Sequence, residues 1–386
     1  MVSLVKSFSL RYGRTKLYFG VGTIDKLARY VKPYDNIAIV TGKRSAKLSG
    51  AINDLLKILG NYSLSYKIYD IVTPNPWASQ ADELAKLFIE EKHDAVIAIG
   101  GGSVIDAAKV ASVIALSGGK AVDYLYRRIK PAKMLPLYAI NLTHGTGTEI
   151  DRYAVLTVNE NKEKRGISIR YNDISIDDPR FTLSLPREQT LYTTLDSFYH
   201  SYEAVTSIDS TPFSDQLSVH AISLINKWLK RALDRPRDIE ARYWLLYASM
   251  IAGISIDMSS THIIHALEHV LSGLNPRLPH GCGLATIGPH LIKYIHKAVP
   301  EASAYVLKAI DPLIKPLSEY SNYASKVVIK FQERHGFNKK LSDYGFSEND
   351  LDDIIKMLLN GLRYLTESTP FNITENIIRE VLIESL

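Results

Sequence analysis

Two short stretches hold the residues whose types and spacing could do chemistry. In LDSFYHSYEA, Asp196 and His200 stand four apart, and in HALEH, His265 and His269 do the same. On a helix, residues at i and i+4 share a face. A carboxylate and an imidazole at that spacing form a ready chelate for a first-row metal, as two histidines do in helical zinc motifs. His280, in LPHG, follows a proline-containing turn from which it can fold back toward HALEH. One carboxylate with three imidazoles suits Fe(II) or Zn(II) and leaves a position open for a substrate oxygen. A single buried histidine on an apolar helix face is more often a hydrogen-bonded core residue than a ligand. Three of the chain's eleven histidines falling between residues 265 and 280 shifts the balance toward a metal. His262 reads as a support for the ligands rather than one of them.

A second kind of chemistry is written in DAVIAIGGGSVIDAAKVASVIAL, an apolar strand, three glycines and a helix starting near Ser103. Glycines let a bound group approach the backbone, and a helix start offers free N–H groups at its positive end, so a phosphate or pyrophosphate fits there. The alternative is a tight strand-to-helix turn and nothing more. Asp106, in the first turn of that helix, suits loop amides or a nicotinamide better than an anion. NLTHGTGTE, residues 141 to 149, offers Thr143, Thr146 and Thr148 to a ribose or phosphate, or caps itself.

These segments need a scaffold, and the chain's texture supplies one. NIAIVTG, LSYKIYDIV and DAVIAIG alternate with helical stretches such as KLSGAINDLLKIL and ASQADELAKLFIEEK, the signature of parallel βαβ units. From about Gln189 the apolar residues recur at three-and-four spacing with almost no strand pattern. The expected architecture is a Rossmann-like α/β domain with a parallel sheet over residues 1–186 and an all-helical domain over 187–386.

Composition narrows the function. The formal net charge is +5 over 386 residues, but Lys and Arg are scattered among nearly as many Asp and Glu without a basic run, which argues against nucleic acid. The single Cys282 excludes an internal disulfide, a four-cysteine zinc site and an iron–sulfur cluster. No run approaches a membrane span and the start carries no apolar segment of signal length, so a cytoplasmic protein is expected. The apolar strand TKLYFG invites pairing between two copies, and a homodimer is expected.

GGGSVIDAAK, the TxGTGxE turn, DxxxH, and HxxxH followed by PHG stand in the order and spacing of the iron-containing (group III) alcohol dehydrogenases. Glycerol dehydrogenase and dehydroquinate synthase are related to that family in architecture. The resemblance runs from LYFGVGTIDKLA at 17 to 28 through the helical C-terminus. It implies metal ligands Asp196, His200, His265 and His280, with His269 beside the metal assisting the proton or substrate. It implies pyrophosphate contacts from Gly101, Gly102 and Ser103, and nicotinamide contacts from Asp106, Thr143 and Thr146. Lys164 would take a ribose hydroxyl, and Asn75 lies where the family's cofactor site begins. The family's PTTAGTGSE is here NLTHGTGTE, with Asn141, Leu142 and His144 for Pro, Thr and Ala, and Thr194 replaces a glycine two residues before Asp196.

The expected activity is reversible hydride transfer between a nicotinamide and a small primary alcohol or aldehyde, with Fe(2+), or alternatively Zn(2+), as the metal. After NIAIVT, Gly42 is followed by Lys43 and Arg44 where an acid would favour NAD(H), so NADP(H) is favoured over NAD(H). Tyr153, Phe198 and Leu274 are the side chains expected near the substrate. A glycerol or polyol dehydrogenase, or another dehydroquinate synthase-like enzyme, is the nearer alternative. A non-enzymatic metal- and nucleotide-binding protein is the farther one.

Overall fold

The computed structural model describes residues 5–62 and 64–386; the first four residues of the domain expected to begin at residue 1 lie outside the described residues. The chain forms two compact units: residues 1–143, 147–186 and 236–246 in one, and residues 144–146, 187–235 and 247–386 in the other.

The first unit is built on a seven-stranded sheet. Its strands are β1 (Phe8–Tyr12), β2 (Thr15–Phe19), β3 (Asn36–Gly42), β4 (Ser65–Val72), β5 (Ala95–Gly100), β6 (Leu137–Asn141) and, after the separate antiparallel pair β7 (Tyr153–Thr157) and β8 (Lys164–Ser168), β9 (Ile174–Asp177). The spatial order is β1-β2-β9-β6-β5-β3-β4. Only β1 and β2 pair antiparallel; every other pairing in this sheet is parallel. Parallel strands need crossovers, and three of the helices between them are α1 (Ala51–Gly60), α2 (Ala78–Glu90) and α3 (Gly102–Ser117). Side chains alternate across the strands, so each face of the sheet gets its own apolar set. Val40, Val96, Ala98, Leu137 and Ala139 join Leu84, Phe88 and Val110 from α2 and α3. Ile37, Ile39, Ile97, Ile99 and Ile140 join Ile52, Leu55 and Leu59 from α1. Both faces are thus covered, which explains why β3 and β5 read as nearly unbroken apolar runs.

TKLYFG, expected to offer itself to a second copy, is β2 and sits inside the sheet, bonded to β1 on one side and β9 on the other. The open edge on that side is β1, which the sequence pattern did not distinguish.

The second unit is helical. Its central element, α4 (Arg187–Thr206), is buried on nearly every side from Thr190 onward. Further along come α5 (Pro212–Asp234), α6 (Ile239–Met258, of which residues 247–258 belong to this unit), α7 (Ile263–Leu274), α8 (His280–Ala298) and α9 (Ser321–Arg334). Two glycines seven apart on α8 bring its backbone onto α4. A Cβ on Gly281 would fall 1.9 Å from the Tyr192 carbonyl oxygen, and one on Gly288 would fall 2.2 Å from the Tyr199 ring. Among the described residues no helix is long and apolar enough to cross a membrane.

One feature of the sheet unit predicts a pH dependence of stability. Asp177, at the end of β9, and Glu149 are both fully buried. Burial pushes the Asp177 carboxyl from its ordinary 3.8 up to about 7, and burial with the Asp177 charge pushes Glu149 up as well. A raised acid keeps its proton in the folded chain after the unfolded chain has lost it, so stability falls as pH rises from 3.8 to about 7. Asp177→Asn keeps an oxygen for the Asn141 amide, which donates to Asp177 Oδ1 at 3.0 Å, and removes the charge. Thermal melts should show the variant more stable than wild type at pH 8, with the gap closing toward pH 4.5. Parallel curves at both pH values would show that Asp177 is already ionised.

Candidate active site

Helix α4 carries Asp196 and His200, α7 carries His265 and His269, and His280 opens α8, where Pro279 precedes it in extended backbone. The packing of α8 on α4 through Gly281 is what brings His280 toward the other two helices. The four residues expected to bind metal converge on one atom. Asp196 Oδ1 lies 3.5 Å from His200 Nε2, 3.5 Å from His265 Nε2 and 3.6 Å from His280 Nε2. Neither Asp196 Oδ1 nor His265 Nε2 has a hydrogen-bond partner, although both are buried. Tetrahedral nitrogen and oxygen ligands at about 2.1 Å from a metal would stand about 3.4 Å apart, close to the three spacings from Asp196; Asp196, His265 and His280 have ligand atoms all within 4.8 Å of one another, a group that does not include His200.

The opposite nitrogens of the three rings are all occupied. His200 Nδ1 faces the Gly145 carbonyl at 3.3 Å, His265 Nδ1 bonds Glu203 Oε2, and His280 Nδ1 bonds Glu268 Oε2. An acceptor at Nδ1 holds a proton there and turns Nε2 inward, the arrangement that orients histidine ligands. Glu203 is itself fixed by the Ile264 amide at 2.7 Å; His262 Nδ1 lies 3.1 Å from it without a hydrogen bond, and His262 Nε2 meets the Thr206 hydroxyl at 3.0 Å. Burial pushes His200 down to about 4, while His265, which burial alone would lower, is carried up to about 9 by Glu203 and Asp196. Burial raises the Asp196 carboxyl, but the imidazoles of His200, His280 and His265 outweigh it and hold it well below the usual carboxylate range. Negative charge is therefore pinned where a cation would sit. His269 is buried beside this group, its ring centroid 5.5 Å from that of His280.

Glu203 and Glu268 were not singled out from sequence. Each stands three residues after a histidine, Glu203 after His200 and Glu268 after His265, and that spacing was the available signal. Phe198, expected near the substrate, instead faces the core, fully buried and stacked on Phe331 with centroids 5.4 Å apart.

The sheet unit holds the expected dinucleotide residues other than Thr146. The chain leaves β3 toward β4 on one side and returns to β5 on the other, so the carboxyl ends of β3 and β5 flank a topological switch point, where α/β sheets bind ligands. Gly42 ends β3, and Gly100 to Ser103 lead from β5 into α3. A Cβ on Gly100 would meet Val104 at 2.4 Å, and one on Gly101 would meet the Thr143 side chain at 2.7 Å. The glycines thus make the turn possible, and Gly101 adds no side-chain cap to the first amides of α3. Thr143 is braced by Asn141, whose Oδ1 accepts from the Thr143 amide at 3.0 Å. Leu142, in place of the family's threonine, is buried in the core. Asn75, at φ 50°, and Lys164 meet at 3.0 Å through Oδ1 and Nζ. Asp106 commits both oxygens to protein donors, the Thr148 hydroxyl at 2.6 Å and the Val155 amide at 2.9 Å. Of its two expected roles, holding loop amides is the one visible in these contacts. Lys109, one turn on, is fully buried and donates to Thr148 Oγ1, the Asp151 and Tyr153 carbonyls and Asp151 Oδ1 at 2.7 to 3.2 Å. Thr146 belongs to the helical unit and is partly exposed.

If the carboxylates behind the rings orient them, Glu203→Gln and Glu268→Gln should each weaken metal binding by about 10- to 100-fold. Competition with a chromogenic chelator measures this directly. Wild-type affinity in both variants would show that the rings are held by packing alone.

Comparison with known proteins agrees with both halves of the chain. Residues 14–179 match the iron-containing alcohol dehydrogenase family, and residues 190–386 match the C-terminal domain of the Fe-containing alcohol dehydrogenase family. A long-chain primary alcohol dehydrogenase of Thermoanaerobacter ethanolicus is 39% identical over 390 residues, 98% of each chain. A 1,3-propanediol dehydrogenase of Klebsiella pneumoniae is 30% identical over 322 residues, 82% of this chain and 83% of that one. Among solved structures, an NADH-dependent butanol dehydrogenase of Thermotoga maritima superposes with a TM-score of 0.89 at 28% identity, over 99% of each chain. The chain therefore belongs to the iron-containing alcohol dehydrogenases, a family of oxidoreductases that use a metal and a nicotinamide cofactor.

Proposed function

We propose that the protein reversibly oxidises a small primary alcohol, or reduces the matching aldehyde, with Fe(2+) or Zn(2+) held by Asp196, His200, His265 and His280 and with NADP(H) preferred over NAD(H). The observation that carries this is the placement of Asp196 Oδ1 at 3.5 to 3.6 Å from three inward-turned imidazole nitrogens. When bound, the metal supplies Lewis-acid polarisation of the substrate oxygen and the nicotinamide accepts or donates the hydride. The chain's residues supply the rest. Glu203, Glu268 and the Gly145 carbonyl hold the protons on the far side of the rings. His269, buried next to His280, is the group within the site that moves a proton to or from the substrate side. The first amides of α3, at Gly102 and Ser103, hold the pyrophosphate against a helix N-terminus. Asn75, Lys164, Thr143 and Thr146 contact the rest of the dinucleotide.

The NADP(H) preference rests on the turn after β3. Lys43 and Arg44 are exposed and make no ion pair among the described residues, so both are available to a 2′-phosphate. The proposal includes a cytoplasmic homodimer, with the open sheet edge at β1 as the strand that meets its copy.

NADPH oxidation with butanal tests the activity. Metal-stripped protein and His265→Ala should be inactive, and reloading wild type with Fe(II) or Zn(II) should restore turnover. Protein that binds metal and NADPH yet turns over no aldehyde, alcohol or polyol would sink the redox assignment. The cofactor choice has its own test, because a Cβ on Gly42 finds only ordinary contacts, the nearest at 3.5 Å. Gly42→Asp should lower kcat/KM for NADPH and raise the ratio of NADH to NADPH use by about tenfold or more, as an acid there accepts ribose hydroxyls and repels the phosphate. An unchanged ratio would remove this turn from cofactor selection.

A further inference from the structure

We propose that His144 is a positioning residue for the metal ligand His200, acting through the Gly145 carbonyl, an inference that rests on the metal-centre reading above. His144 and Thr194 are two of the places where this chain departs from the family pattern, which has alanine and glycine there. In this structure the two departures meet. His144 is fully buried, and its Nδ1 lies 3.1 Å from Thr194 Oγ1 and 3.3 Å from Thr193 Oγ1.

Counting protons fixes the direction of these bonds. A threonine hydroxyl has one proton, and those of Thr194 and Thr193 point at the Thr190 and Gln189 carbonyls, at 2.7 and 2.8 Å. The hydroxyl oxygens therefore accept, and the His144 ring donates from Nδ1. Alanine and glycine side chains make no such bond, so the pair adds an anchor to α4.

What the anchor holds is the next peptide. Gly145 lies so close to α4 that a Cβ there would fall 2.9 Å from Thr193 Cβ and 3.0 Å from its carbonyl oxygen. The Gly145 carbonyl lies 3.0 Å from the Ser197 hydroxyl and 3.3 Å from His200 Nδ1. His200 differs here from His265 and His280. Those two rings are held by carboxylates, whereas His200 depends on a neutral backbone carbonyl in a turn, whose direction is only as definite as the turn itself. Neutral acceptors bind roughly half as strongly as charged ones, so its geometry matters more. His144 fixes that turn one residue away, on the same helix that carries His200.

The test uses metal-free full-length protein titrated with Zn(II) against a chromogenic chelator, alongside melts of the metal-free forms. His144→Ala and the double variant Thr193→Val/Thr194→Val should each weaken Zn(II) binding about tenfold, the low end for groups that orient a ligand. Combining all three changes should cost no more than either set alone, because both remove one interaction. Thr193→Ser/Thr194→Ser, which keeps the hydroxyls, should bind like wild type. If His144→Ala binds Zn(II) as tightly as wild type, whatever its melting temperature, His144 only fills space and the proposal is overturned. Wild type binding Zn(II) no better than His200→Ala would instead overturn the metal-centre reading, and this inference with it.

Discussion

The helical unit depends on one unshared carboxylate oxygen. Asp196 Oδ1 is buried, hydrogen-bonded to nothing, and equidistant from three imidazole nitrogens. A buried carboxylate oxygen without a hydrogen bond is costly, and here three imidazoles facing it offset that cost. The surroundings show the expense carried outward in stages. The rings are turned by Glu203, Glu268 and a carbonyl, and Glu203 is turned in turn by the Ile264 amide. The backbone accommodates the same demand, since α8 can bring His280 inward only because Gly281 and Gly288 carry no side chain where it meets α4.

The sheet unit obeys a different constraint, namely the removal of side chains from a strand-to-helix turn. Gly100 and Gly101 lie where Val104 and Thr143 leave no room for a Cβ, and the turn they make opens beside the end of β3. The residues proposed for the dinucleotide are tied to one another: Asn75 to Lys164, Thr143 to Asn141, Asp106 to Thr148 and Val155. Groups already held need lose little freedom on binding, which is how a rigid scaffold raises affinity without adding contacts.

Much of this was legible in the sequence, for reasons that differ residue by residue. The pairs Asp196–His200 and His265–His269 declared themselves because i,i+4 spacing converts directly into a shared face. The βαβ alternation declared the sheet because period-2 and period-3.6 patterns follow each other cleanly. Glu203 and Glu268 did not, because an acid on a helix is ordinary and nothing local reveals that its face is buried. Phe198 was misplaced for the same reason, since α4 is surrounded on nearly every side. TKLYFG gave the right element and the wrong neighbours, because pairing partners in a sheet are set by strands as distant in sequence as β9.

Lys109 carries a consequence for how the sheet unit assembles. Its buried amine finds its acceptors 39 to 44 residues further along the chain. A state in which α3 has docked on the sheet while that distant loop is still open would bury a bare ammonium, which is strongly unfavourable. Such half-built states are therefore depopulated, and docking of the helix is coupled to closure of the loop. The lysine thus acts as a cooperativity device: it makes this part of the sheet unit form as a whole or not at all.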